Sequence, residues 1–362
     1  MSIPRISSAE LEDLAACFQT AGRTRFENSK FYRHFAGMIA HDLELLRLAS
    51  TAKNPKLAAF LLFGAVYYLV LTGVSHPLVA YYRDATLASH LEEAYLCFRD
   101  FCTTHTAALH RIIAGRSVQT NEVGRAAFIR CGLSRIKAWL GKQRLSIIEV
   151  GASAGLLLSW DRYFMRFFRA RESHHTGTPI VEIGDAHSQV HLSCTVRGEF
   201  FPTEMVKDGL FCPERFGLEL HPLNLFSNAD RLWLQALTWP DQPERAERLR
   251  AALTAIRSEP WPILRGDATR VLEQACALLR RENFLCLVHS FFLGQLCARE
   301  FERFQQQLHA LAHKRNFAVL GFEWQNEACQ LTLTKWLAGE ARPTEVLALC
   351  DPHGGWMEWQ AH

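Results

Sequence analysis

The periodicity of this chain changes near residue 145, and that one change limits the folds open to it. Residues 1 to about 140 read as helix: in "HDLELLRLAS", "YRDATLASHLEEAYLCFRDF" and "GRAAFIRCGLSRIKAWL" apolar residues recur three and four apart, with no strand-like alternation between. From "LSIIEVG" onward short apolar runs take over: "FGLELHPL" at 216–223, "WPILRGD" at 261–267, "FLCLVHS" at 284–290 and "FAVLGFEW" at 317–324. Helical stretches such as "RAERLRAALTAIR" and "REFERFQQQLHALAHK" separate them. Strands that alternate with helices predict an α/β fold with a doubly wound, mostly parallel sheet. The expected organisation is a helical domain over 1–140 and a Rossmann-like domain over 141–362. The long connection 164–215 contains "SQVHLSCTVRG", where Val190, Leu192, Cys194 and Val196 alternate with polar residues, so it predicts a β-rich insertion forming a hairpin beside the main sheet.

Composition narrows the function classes. Hydrophobic residues at 49% and charged residues at 21% exclude a disordered chain. The net charge of +3 splits into 16 basic and 11 acidic residues over 1–140 against 24 and 26 in the remainder, and no basic run forms a phosphate-tracking stripe. Nucleic acid is therefore not indicated as a partner. The 11 cysteines form no C-x-x-C pair, which leaves no zinc ribbon or disulfide framework and reads as reduced thiols of a cytoplasmic protein. "SSAEL" places Ser7 as a helix cap with Glu10 three residues on, in place of a secretory signal. The uncharged run "LAAFLLFGAVYYLVLTGV" at 57–74 is at the lower limit for a membrane span. With Tyr67 and Tyr68 at its middle and Asn54–Pro55 as an ordinary helix start, it reads as a buried helix, and no membrane span is expected. No metal is expected either: His187 and His191 would stand roughly 13 Å apart on a strand, and the adjacent His174 and His175 read as solvated.

"IIEVGASAGLLLSWDRY" at 147–163 carries two incompatible functions. "GASAG" fits the G-x-S-x-G nucleophile elbow with Ser153 attacking, and His353 with Asp267 or Glu323 would complete a triad on paper. That fold needs several strands and an oxyanion loop upstream, and everything upstream is helical. "EVGASAG" also reads as Glu149 followed by Gly151 and Gly155 in a nucleotide-binding turn between a strand and a helix. Such a turn requires an acid at the end of the second strand to accept from ribose hydroxyls, and Glu219 of "FGLELHPL" stands there. Ser153 takes the place of the middle glycine of G-x-G-x-x-G, which disfavours a pyrophosphate and favours a ligand without phosphates, such as S-adenosylmethionine.

The motifs "QTNEVGR", "EVGASAGLLLSWDRY", "LTWPDQPERAERL", "LRGDA", "VHS" and "DPHGGWMEW", in this order, resemble the bacterial family of domain of unknown function 2332 over essentially the whole chain. The second half in turn resembles class I S-adenosylmethionine-dependent methyltransferases. That resemblance implies cofactor contacts from Glu149, Gly151, Ser153, Gly155 and Glu219, with Asp267 near the adenine. Leu157 departs from it, standing where an asparagine is expected.

In an open parallel sheet ligands bind beyond the carboxyl ends of the strands, which points to His289, Ser290 and Glu323. His289 is the candidate base, with Glu323 and His353 the other candidate catalytic residues. Asn121, Glu122 and Arg125 are candidates for closing the site over cofactor or substrate, with Ser290 and Trp356 beside them. Asp161 and Arg162 read as a packing ion pair, and "DPHGGWMEW" as the last hairpin. The leading expectation is S-adenosylmethionine-dependent methyl transfer to a small-molecule substrate. A non-catalytic sensor of an adenosyl ligand and a serine hydrolase using Ser153 stand as alternatives.

Overall fold

The computed structural model describes residues 6–84, 90–119, 122–170, 177–325 and 328–361. The chain divides into two compact units, residues 1–121 with 226–247, and residues 122–225 with 248–362.

The first unit is helical. Its helices are Ser8–Thr24, Lys30–Ile39, Leu43–Ala49, Ala58–Leu71, Leu78–Arg83, Leu91–Thr104, Thr106–Gly115 and Asn228–Ala236. The first begins as its sequence requires: Ser7 Oγ accepts from Glu10 N–H and the Glu10 carboxylate accepts from Ser7 N–H at 2.9 Å. Helix Ala58–Leu71 is apolar on all sides because the core surrounds it, with Phe63 stacked on Tyr32 at 4.2 Å between ring centroids. Among the described residues no helix is long and apolar enough to cross a membrane. Residues 226–247, expected in the second domain, belong here because they fill this core: Trp233 is fully buried, Trp239 meets Phe26 at 5.5 Å, and Asp241 accepts from Ser29 Oγ at 2.8 Å.

The second unit is built on one sheet whose strands are β1 (Leu145–Val150), β2 (Phe164–Arg169), β3 (Val181–Ile183), β4 (His191–Arg197), β5 (Glu214–Glu219), β6 (Ile263–Arg265), β7 (Phe284–Ser290), β8 (Phe317–Gln325), β9 (Ala328–Leu337), β10 (Glu340–Ala341), β11 (Glu345–Cys350) and β12 (Trp356–Trp359). Their order is β3-β2-β4-β12-β11-β9-β8-β7-β1-β5-β6, with β10 paired to β9. The run β8-β7-β1-β5-β6 is parallel throughout. β9 and β11 then run antiparallel to their neighbours, so the fold is mixed α/β with a large, mostly parallel sheet. β1 is buried on both faces, which explains why it is apolar apart from Ser146 and Glu149.

Three expectations need correction. The segment 164–215 does contain an antiparallel pair, β2 with β3, but not as a hairpin apart from the sheet: β2 and β4 pair in parallel and β4 pairs in parallel with β12, so the alternating strand β4 joins the whole insertion to the main sheet. The turn after β1 leads into no α-helix. Residues Leu156, Leu157, Leu158 and Trp160 are all buried, an apolar run with no polar face, and they form a 3-10 stretch Leu157–Arg162 broken at Ser159. Asp161 and Arg162 do not pair with each other; Asp161 holds Arg215 and Arg162 reaches Glu259 at 3.2 Å.

Helix Ala126–Leu140, expected in the helical domain, belongs to the sheet unit. Gly132 lets it approach β8 closely, since a Cβ there would lie 2.5 Å from the Leu320 side chain. Phe128 meets Phe322 on β8 at 5.4 Å.

Candidate functional site at the carboxyl ends of β1, β5 and β7

Taken in chain order, the five parallel strands β1, β5, β6, β7 and β8 lie in the order 3-2-1-4-5. After β1 the chain goes to one side for β5 and β6 and to the other for β7 and β8. The carboxyl ends of β1 and β7 therefore form the switch point at which open α/β sheets take their ligands. Both strands end in strained backbone. Ser153, after β1, has φ +53 and Phe291, after β7, has φ +52, in the left-handed region that costs a non-glycine residue about 1–2 kcal/mol. The two loops touch, because Gly151 (φ +73) faces the Phe292 ring, which a Cβ would approach to 3.2 Å.

Register decides which residues share a face. Glu149 pairs with Gly217 and Val288, and Val288 with Leu320, which is the residue under helix Ala126–Leu140. Glu149, Gly217, Glu219 and Ser290 thus lie on that helix's face, two-residue periodicity placing them together. Gly217 leaves room for the turn: a Cβ there would collide with Ala152 and lie 2.6 Å from Ile263 Cδ1. Glu219 then reaches the turn, accepting from Ser153 N–H at 2.9 Å and, through its other oxygen, from His221 N–H at 3.0 Å. Each carboxylate oxygen retains a second lone pair for a ligand hydroxyl.

Two polar atoms at this place are buried and have no hydrogen-bond partner among the described residues: Glu149 Oε2 and Ser153 Oγ. Burial holds the Glu149 carboxyl well above the usual carboxylate range, and the charge of Glu219 adds to the shift. Folding therefore retains a proton that the unfolded chain releases. Stability is fully present below the ordinary carboxylate range and falls as pH rises from there towards the raised value, by up to about 1.4 kcal/mol per pH unit. Glu149→Gln, which keeps the shape and cannot ionise, is expected to flatten this dependence, read as urea midpoints at pH 5 and pH 8. Equal pH dependence in both proteins contradicts a buried protonated Glu149.

His289 and Glu323 come together, with Nδ1 to Oε1 at 2.8 Å, and both are buried. His289 pairs with Val150 and Gly321, so it points to the sheet face opposite Glu149. The same Glu323 oxygen accepts from Phe292 N–H at 2.8 Å and Leu293 N–H at 3.0 Å. An oxygen that accepts three times assigns the ring proton to Nδ1 and ties down the loop after β7. The pair supports the site from behind.

Arg125 lies on the Glu149 side. It donates to Ser290 Oγ at 3.2 Å and to the Pro352 carbonyl at 2.9 Å, and lies 4.2 Å over the Phe291 ring. Glu122 accepts from Gly124 N–H at 3.0 Å and faces Arg248 at 3.6 Å. Gly124 must be glycine because its Cβ would lie 2.5 Å from the His353 carbonyl oxygen. His353 thus meets this segment through its backbone, in the β11–β12 turn that Asp351 closes by accepting from His353 N–H and Gly355 N–H. Trp356 stacks under Arg197 at 3.8 Å, an apolar face covered by a cation. Asp267 caps helix Ala268–Cys276 by accepting from Thr269 N–H at 2.9 Å. Asn121, His174 and His175 lie outside the described residues.

A family model described as an uncharacterized protein conserved in bacteria (DUF2332) matches residues 15–359. The chain belongs to the DUF2332 family. A search of the curated proteins finds no significant match. In this DUF2332 chain the sheet, the turn and the flanking helix Ala126–Leu140 all fall inside the matched span.

Sequence reading missed Gly217 and Gly321. Each was visible as a glycine inside an apolar strand, a place where glycine costs stability unless something approaches closely. Gly217 admits the turn and Gly321 admits the His289 ring, which a Cβ would approach to 2.8 Å. Arg215 was missed as well. It is buried, stacked between Trp261 at 4.0 Å and Trp160 at 5.0 Å, and paired with Asp161. A basic residue between Glu214 and an apolar run was its only signal.

Proposed function

We propose that this protein binds S-adenosylmethionine at the carboxyl ends of β1, β5 and β7 and transfers its methyl group to a small molecule. One observation carries the reading: the strand order 3-2-1-4-5 puts a glycine turn, two buried unpartnered oxygens and an acid at the end of the second strand together at the switch point. The five-strand parallel run is compatible with the class I methyltransferase fold, and the antiparallel strands β9 and β11 adjoin it at β8. Replacing the expected helix by the 3-10 stretch Leu157–Arg162 removes the helix N-terminus that a pyrophosphate would use, which supports a ligand without phosphates. Glu219 would accept from the ribose, and the turn 151–155 would hold the amino-acid end. Arg125 and Ser290 stand at the end of β7, on the same face, for the acceptor. Methyl transfer is a displacement governed by positioning, and the two strained loops are fixed for it by Glu219 on one side and Glu323 on the other.

The serine-hydrolase reading has one observation in its favour, the φ of +53 at Ser153, which suits a nucleophile elbow. Against it, Ser153 Oγ is buried with no base bonded to it among the described residues, and His289 lies on the opposite face.

Calorimetric titration with S-adenosylmethionine and S-adenosylhomocysteine tests the proposal. Saturable micromolar binding is expected. Absence of binding by folded protein, together with labelling of Ser153 by a fluorophosphonate, would replace it with the hydrolase.

A further inference from the structure

The surroundings of Glu149 say something about the charge of the ligand. Among the described residues, no element around this carboxyl supplies a countercharge. β5 contributes Glu219, an acid, and Arg215, which is engaged by Asp161. The 3-10 stretch Leu157–Arg162 contributes Asp161 and Arg162, the latter turned to Glu259, and Tyr163 beyond it donates to the Leu156 carbonyl at 2.7 Å. Helix Ala126–Leu140 contributes Arg130, which is spent on the carbonyls of Val206 and Asp208. β7 contributes Val288 on this face, and His289 points away. No cation among the described residues pairs with Glu149 or Glu219, and Glu149 Oε2 and Ser153 Oγ stay unpartnered beside them.

Two carboxyls without a countercharge, at a turn whose buried oxygens lack partners, form a site short of positive charge. We propose that the turn 151–155, which would hold the amino-acid end, also seats the adjoining sulfonium, and that Glu149 gives up its proton to solvent when that charge arrives. This rests on the proposed cofactor reading and deepens it. A cation beside Glu219 lies close enough to favour the charged form of Glu149 through the low-dielectric interior, so contact is not required. The charge balance is complete: the carboxylic acid becomes a carboxylate, the released proton goes to buffer, and the ligand's positive charge is compensated.

Two consequences separate this from neutral recognition. S-adenosylmethionine, a sulfonium, binds with proton release and gains affinity with pH, up to about tenfold per pH unit. S-adenosylhomocysteine, the uncharged thioether with the same adenosyl and amino-acid groups, releases fewer protons and shows the weaker pH dependence.

The experiment is calorimetric titration of the full-length protein with each ligand in phosphate and in Tris, whose ionisation enthalpies differ. Buffer-dependent heats for S-adenosylmethionine, larger than those for S-adenosylhomocysteine and abolished by Glu149→Gln, are the expected result. Equal proton release for the two ligands, or buffer-independent heats for both, would overturn this inference and leave the cofactor reading intact. Failure of both ligands to bind would overturn the cofactor reading and this inference with it. The wild-type comparison alone decides if Glu149→Gln fails to fold.

Discussion

Asp161→Ala is expected to lower the unfolding free energy by about 3 kcal/mol, the scale for leaving a buried charge without its partner. The Arg215 side chain is only 3% exposed, and Asp161 is the carboxylate that meets it. Its Nε and Nη1 already lack partners among the described residues, so no second acceptor stands ready to replace Asp161. Trp261 and Trp160 hold the guanidinium and restrict its swing towards water. Asp161 is itself 36% exposed, and water around it places the effect at the lower end of the range. Removing both partners reverses most of the loss, because an apolar side chain of similar length suits the space between two tryptophans. Urea denaturation should therefore rank wild type first, the double variant Asp161→Ala/Arg215→Met close behind, and Asp161→Ala last. An Asp161→Ala protein as stable as wild type would show that the pair contributes nothing.

Glu219→Ala is expected to weaken S-adenosylmethionine binding about a hundredfold, which is about 2.7 kcal/mol and the worth of one or two charge-assisted hydrogen bonds. Part of the loss would come through the protein. Glu219 fixes Ser153 N–H and His221 N–H, so its removal frees the turn from its strained φ as well as removing the ribose acceptor. Glu219→Gln, which keeps one acceptor oxygen, should fall between the two. Titration calorimetry at constant pH measures all three, and unchanged affinity for Glu219→Ala would detach the residue from the site.

Much of this was legible in the sequence because it is local. β7 coincides with "FLCLVHS", β8 exceeds "FAVLGFEW" by one residue, and the Ser7–Glu10 cap forms as spaced. Glu219 was placed at the end of its strand, and the turn at Gly151 follows from a strand that ends at Val150. What was not legible depends on distant pairing. The strands of 164–215 look like a self-contained unit until β12, more than 150 residues later, pairs with β4 and draws them into the sheet. Asp161 and Arg162 are adjacent and opposite in charge, yet Arg215 lies 54 residues away and takes Asp161 because burial leaves it nothing else. The "VHS" motif put His289 and Ser290 in one place, but strand alternation turns them to opposite faces, with only Ser290 beside Arg125. Residues 226–247 left the sheet unit for the helical one because Trp233 and Trp239 bury more apolar surface there, a preference set by a core made mostly of residues 11–113.

Amide hydrogen exchange of the full-length protein with and without saturating S-adenosylhomocysteine tests the central claim most directly, because it reads binding and location together. Slowed exchange is expected in peptides covering 151–155, 219–221 and 289–293, with little change in the β2–β4 region. Protection confined to other segments, or none at ligand concentrations that saturate a calorimetric signal, would contradict a cofactor site at the ends of β1, β5 and β7.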